Sequence, residues 1–277
     1  MRINTNVSSL TAQEASTNND KALTASLEKL STGLKINKAS DDAAGLSIAD
    51  KLRTQASGLS KAVENGNSAS AMLQIGDKAM AEQSNLLDTI KTKLIQAATA
   101  TTSSAGMEAL SKDIEKLLTQ VDNIAKDTNY NGVQLISNTT ADGTAGTKVF
   151  QMGDTTTKTI TLDDSITANV KTFDISNAHS IGSHDDARNM LSKLDLALTT
   201  LNKMRSSLGS TQNQVESSVR SLQTAVTNLK AAESVIRDVD YAQETANFNK
   251  QNIISQAGTY AISQANKVQE GVTKLLQ

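Results

Sequence analysis

The side chains best suited to chemistry are few and scattered. His179, His184, Asp185 and Asp186 together offer imidazole and carboxylate donors, the raw material of a divalent metal site. Their spacing fits no standard zinc pattern, and they straddle a loop and a helix start, so solvated histidines beside a helix cap are the better reading. Asp41-Asp42 and Asp163-Asp164 resemble paired carboxylates for acid–base work. Adjacent aspartates in polar loops more often serve as turns or caps. Neither histidine is followed by glutamate, so no H-E-x-x-H metallopeptidase helix is present. The phosphate-binding G-x-x-x-x-G-K-[ST] loop, the G-x-G-x-x-G fingerprint and the G-x-S-x-G elbow are also missing. The chain has no cysteine, which removes thiol nucleophiles and disulfides. The expectation is a protein without enzymatic activity, metal or cofactor.

The elements around these residues are mostly helical. Val7, Leu10, Leu23, Leu27, Leu30 and Leu34 fall at three–four spacings, separated by a Thr/Asn/Ser-rich stretch with only alanines on the face. Gly33 ends that run, and a loop to Gly45 follows. A very long helix is predicted from Leu46 to about Ala98, with Leu52, Ala56, Leu59, Val63, Leu73, Met80, Leu87 and Leu94 on its apolar side. A turn at 99–106 precedes a helix marked by Met107, Leu110, Ile114, Leu117, Val121 and Ile124. Asn131-Gly132 is a hairpin turn signal. Between 133 and 175 the chain becomes rich in Thr, Gly, Asp and β-branched residues, with candidate strands at 148–152, 159–162 and 171–175.

Helix then returns. Ser183-His184-Asp185-Asp186 matches a capping box, and a heptad-like stripe runs from Leu191 through Leu194, Leu201, Leu208, Val215, Val219 and Leu222 to Ile236. The last segment places Ile254, Ala257, Ala261, Ala265, Val268, Val272 and Leu275 on one side. The fold class is therefore mainly α: a long antiparallel helical bundle or coiled coil with a small β-hairpin region in the middle of the chain. Both ends are amphipathic helices with narrow, alanine-rich stripes. Such helices are marginal alone; they can pair with each other or with copies on neighbouring chains.

Composition narrows the partners. Net charge is −2 with no clustered Lys/Arg excess, which argues against nucleic acid. No stretch reaches the ~18 apolar residues of a membrane span, and Met1 opens no signal peptide. There is no proline among 277 residues, where roughly one in twenty is usual. That absence suits long unbroken helices.

Against this background the sequence resembles the bacterial flagellins. The resemblance is carried by Arg2-Ile3-Asn4-Thr5-Asn6 and onward to Leu10. The stretch 30–49 adds to it, from Leu30-Ser31-Thr32-Gly33-Leu34 through Asp41-Asp42-Ala43-Ala44-Gly45. So do Asn131-Gly132-Val133-Gln134-Leu135-Ile136, Ser255-Gln256-Ala257-Gly258-Thr259 and Ser263-Gln264-Ala265-Asn266-Lys267-Val268. It covers nearly the whole chain, most firmly 1–137 and 185–277.

The resemblance implies a structural subunit that polymerises into the bacterial flagellar filament for swimming motility. It is expected in the extracellular filament, exported unfolded by the flagellar type III apparatus without a cleaved signal peptide. The two terminal helices would pair as an inner tube-forming domain, disordered in the free monomer. Expected divisions are 1–44 (inner helix and loop), 45–137 (first half of the rod), 138–182 (β-rich middle), 183–237 (second half of the rod) and 238–277 (inner helix). The middle is too short for the outer domains many flagellins carry, so the form is a minimal two-domain one.

Polymer contacts would fall to Leu23, Leu27, Leu30, Leu34, Ile254, Ala261, Val268, Val272 and Leu275. Implied partners are identical copies, an export chaperone on the C-terminal helix (240–277), the filament cap and hook-associated proteins. The family's receptor-contact stretch has diverged here to Asp88, Thr89, Ile90, Lys91, Thr92, Lys93, Leu94, Ile95 and Gln96. Thr89 stands in place of an arginine and Lys93 in place of a leucine, which implies weak binding to the Toll-like innate immune receptor. The alternatives are a flagellar hook-associated junction protein and a coiled-coil signalling protein. Ser137, Thr139, Thr155, Thr156 and Ser165 are candidate carriers of O-linked sugars if they face outward.

Overall fold

The computed structural model describes residues 5–137, 148–162, 167–175 and 182–275, with side chains through 271. Five helices dominate the described residues: α1 (Val7–Thr32), α2 (Ala43–Ala97), α3 (Ser104–Asp127), α4 (His184–Arg237) and α5 (Tyr241–Leu275). At 1.5 Å per residue, the 55 residues of α2 span roughly 80 Å. Two antiparallel pairs form the β structure, β1 (Asn129–Tyr130) with β2 (Val133–Gln134), and β3 (Lys148–Gln151) with β4 (Thr159–Leu162). The mainly helical expectation with a small central β region is what the fold shows.

Local chemistry sets the helix ends. Asn6 Oδ1 accepts from Ser9 N at 3.1 Å and starts α1; Gly33, at φ 74°, ends it in the left-handed conformation that an L side chain resists. Asp42 Oδ1 accepts from Gly45 N at 2.9 Å and caps α2. Its neighbour Asp41 turns the other way and accepts from the backbone N–H groups of Lys38 and Asn37. Those two bonds hold its carboxyl below the usual carboxylate range. Ser103 caps α3. Ser183 Oγ accepts from Asp186 N at 3.2 Å and caps α4, while its hydroxyl donates to the Asp186 carboxylate. Asp240 Oδ1 takes the N–H groups of Ala242 and Gln243 at the start of α5.

The chain divides into two compact units. Residues 57–226 form one, whose core lies between α2, α3 and α4, with the β segments folded onto it. Leu73, Met80, Leu87, Ile90, Leu94, Ile114, Leu118, Val121, Leu194, Leu201, Leu208 and Val215 are almost wholly buried. Both helix pairs run antiparallel in a fixed register. Lys91 reaches Asp195 at 2.6 Å and Arg205 reaches Asp77 at 3.0 Å between α2 and α4. Lys93 reaches Asp113 at 3.1 Å between α2 and α3. The core stripe of α4 also uses Ala187, Met190, Ala197 and Met204, with Leu191 and Leu198 only half-buried at its margin.

A polar side chain also sits wholly inside this core. Gln83 is 0% exposed, and its Nε2 donates to Val121 O on α3 and to Ala168 O beyond β4, both at 2.9 Å. It thus ties α2 to α3 and to the segment beyond β4, while its own Oε1 is buried without a partner among the described residues.

The third strand expected in the middle is not one. Residues 171–175 form turns: Asn169 Oδ1 accepts from both the N–H and the hydroxyl of Thr172, and Asp174 takes φ 52°. The asparagine side chain offers a local partner that competes with strand pairing. Phe173 and Ile175 are still buried, so the alternation of apolar residues reports burial rather than extension.

Gln83→Ala takes the side-chain donor from the Ala168 carbonyl and opens a cavity, and should cost about 1–3 kcal/mol in urea unfolding followed by circular dichroism. A Cβ on Gly66 would lie 2.4 Å from Val219 Cγ2 and 2.8 Å from Met152 Cε, whereas nothing lies within 4 Å of one on Gly209. Gly66→Ala should therefore lose about 1–3 kcal/mol from overpacking. Gly209→Ala should gain up to about 1 kcal/mol from helix propensity alone.

Candidate assembly surface

The other compact unit comprises residues 1–56 and 227–277. Its main contact is α1 lying antiparallel on α5. Asn6 Nδ2 donates to Ala265 O at 3.0 Å and Asn19 Nδ2 to Gln251 O at 2.9 Å, and the Ser26 hydroxyl donates to the Glu244 carboxylate. Ser255 Oγ donates to Asp20 Oδ1 at 3.2 Å. The seam on α5 is Glu244, Phe248, Gln251, Ser255, Gly258, Ile262 and Ala265, at alternating three- and four-residue steps. On α1 it is Ser9, Ala12, Ser16, Asn19, Ala22, Leu23 and Ser26. Most of these side chains are small or polar, with Leu23, Phe248 and Ile262 the large apolar exceptions, and Cα atoms of the two helices come within 8 Å of one another. Gly258 faces Ser16, where a Cβ would still find 3.7 Å.

Many of the other large apolar side chains of the same helices point elsewhere. Val7, Leu10 and Leu27 are 58%, 55% and 54% exposed; Ile253, Ile254, Tyr260 and Val268 are 66%, 45%, 74% and 60% exposed. Of the residues expected to make polymer contacts, Leu27, Ile254, Ala261 and Val268 are exposed, while Leu23, Leu30 and Leu34 are half-buried. Val272 and Leu275 lie on α5, with side chains outside the described residues. Ala265, grouped with the outer stripe by spacing alone, belongs to the seam. Reading α5 by its apolar residues found the outer face. The seam was missed because only Phe248 and Ile262 mark it on α5 among small and polar side chains.

Beside this seam the connectors are joined. Lys35 N donates to Arg237 O at 2.6 Å and Val239 N to Gly33 O at 3.0 Å, forming a bridge between Leu34 and Asp238. Arg237 lies 3.7 Å from Asp50, which also pairs with Arg53 at 2.9 Å.

The other sequence candidates separate. His184 Nδ1 lies 2.9 Å from Ala97 O, where it meets the last carbonyls of α2. His179 and Asp163-Asp164 fall outside the described residues. Among the described residues no cluster of three His, Cys, Asp or Glu side chains could hold a metal. Nor is any helix long and apolar enough to cross a membrane. In the receptor-like stretch, Asp88, Thr89, Thr92 and Gln96 are exposed, while Lys91 and Lys93 are committed to Asp195 and Asp113. Ser137 is buried and does not face outward; Thr155 and Thr156 are exposed. Thr139 and Ser165 fall outside the described residues.

Comparison with known proteins agrees along the full length. Residues 3–141 match the bacterial flagellin N-terminal helical region and residues 191–276 the bacterial flagellin C-terminal helical region. A flagellin of Bacillus subtilis (strain 168) is 32% identical over 306 residues, with 100% of each chain covered. A flagellar filament 31.3 kDa core protein of Treponema maltophilum is 30% identical over 289 residues, again with 100% of each covered. The crystal structure of Bacillus cereus flagellin superposes with a TM-score of 0.51 at 26% identity, covering 61% of this chain and 94% of that one. Full-length correspondence with filament subunits does not favour the hook-associated alternative. With both helical regions matched and no large insertion between them, this chain belongs to the bacterial flagellins, as a minimal two-domain, filament-forming structural subunit.

Proposed function

We propose that the outward apolar face of α1 and α5 is the surface by which one subunit joins the next, with Leu27, Leu30, Leu34, Ile254, Ala261, Val268, Val272 and Leu275 acting there and Leu23, half-buried in the seam, holding α1 against α5 beside it. The supporting observation is the division of labour on these helices. The intrachain seam is mostly small and polar, with Leu23, Phe248 and Ile262 its large apolar members, while Leu27, Ile254 and Val268 stay exposed. A polar seam gives little hydrophobic stabilisation to a free subunit. Burial of the outer face against identical copies supplies the rest, and couples ordering of the chain ends to assembly.

The same exposed side chains on α5 give an export chaperone an apolar helix face to cover at 240–277 before assembly. Secretion through the flagellar export apparatus without a cleaved signal peptide, an extracellular filament location, and engagement of the filament cap and hook-associated proteins complete the reading. The subunit acts by packing and performs no catalysis. Recognition by the Toll-like innate immune receptor is weak, because Thr89 offers no arginine fork and the Lys91 and Lys93 ammonium groups are held by carboxylates of the same chain.

The test is seeded polymerisation of single variants Leu27→Asp, Ile254→Asp and Val268→Asp. Each site is exposed, so monomer stability should move by no more than about 0.5 kcal/mol. Losing about 1.5–3 kcal/mol of burial per contact should raise the critical concentration roughly ten- to a hundredfold. Filaments that elongate normally from these variants would refute the assignment. For the receptor, a cell reporter should respond far less to this protein than to a flagellin bearing the full arginine motif; equal activation rejects weak recognition.

A further inference from the structure

The chain contains two Asn-Gly pairs, Asn65-Gly66 and Asn131-Gly132, in opposite surroundings. The first lies inside α2. Gly66 is buried, its N–H belongs to the helical ladder, and Asn65 Nδ2 donates to Gln151 O at 3.4 Å. The second is the two-residue turn between β1 and β2. Asn131 at φ 50° and Gly132 at φ 80° form the left-handed pair that such a hairpin requires. Both residues are exposed, and nothing lies within 4 Å of a Cβ placed on Gly132. Among the described residues no hydrogen bond holds the Asn131 side chain.

We propose that Asn131 is a site of spontaneous deamidation and backbone isomerisation in the folded subunit, with Asn65 protected by its helix. The Gly132 amide nitrogen gives its proton to a solvent base and attacks Asn131 Cγ. The new C–N bond closes a five-membered succinimide. The Cγ–Nδ2 bond breaks, and the nitrogen takes up a proton and leaves as ammonia. Water then adds to one of the two ring carbonyls, and the ring opens to aspartate or to isoaspartate. Glycine permits the close approach because it carries no side chain to obstruct the nitrogen.

The product alters the hairpin in a specific way. Either product adds one negative charge, and isoaspartate also inserts a methylene into the backbone. The register Tyr130↔Val133 and Asn129↔Gln134 has no room for an extra backbone atom in a two-residue turn. Leu135 N donates to Thr128 O at 3.1 Å just beyond it, and Leu135 and Ile136 are buried. Isomerisation therefore loosens the segment that leads from α3 into the core.

The experiment ages the full-length monomeric protein at mildly alkaline pH, folded and in urea. Proteolytic peptides are read by mass spectrometry, and isoaspartyl groups by enzymatic methylation. In the folded chain, conversion at Asn131 should outpace that at Asn65 by roughly tenfold or more, since Asn65 reacts only through local opening of α2. In urea the ratio should fall toward unity. Equal rates in the folded chain, or reaction of Asn131 only in urea, would overturn the proposal.

Discussion

The contact between α1 and α5 depends on close approach rather than on apolar bulk. Alanine, serine and glycine along the seam let the two backbones come near, and asparagine side chains then reach across to carbonyls of the opposite helix. Such hydrogen bonds exchange water for protein, and each contributes little net stability. They do fix direction and register, because an amide must meet a particular carbonyl. The consequence lies on the other side of the helices. Large apolar residues that would ordinarily close an intrachain core are left outward, where a monomer has nothing to cover them.

The unit formed by residues 57–226 follows the opposite rule. Leucine, isoleucine and methionine fill the space between α2, α3 and α4, and polar groups are confined to the margins as ion pairs between exposed partners. Exposed pairs of this kind add little to stability. Their positions agree with one register, as does the close fit of Gly66 against Val219 and Met152. Gln83 lies wholly in the interior, and both its donor hydrogens are used. A buried amide that serves two carbonyls narrows the alternatives available to long helices, which could otherwise slide by a turn with little change in apolar burial.

Sequence alone determined the helices, their caps and the class of the fold. Those features are local: Asn6, Gly33, Asp42, Ser183 and Asp240 act within a few residues, and three–four periodicity needs no knowledge of the partner. The hairpin at Asn131-Gly132 was legible for the same reason. The family was legible from the blocks at the two ends. Only the tertiary structure decided which face of α5 meets α1, because a seam of Glu244, Phe248, Gln251, Ser255, Gly258, Ile262 and Ala265 carries only a weak periodic apolar signal. It also decided that 171–175 turns rather than extends, since Asn169 reaches Thr172 only in a particular local geometry. The role of Gln83 likewise came from tertiary structure. Its partners lie 38 and 85 residues away, and nothing in local sequence reports a carbonyl at that distance.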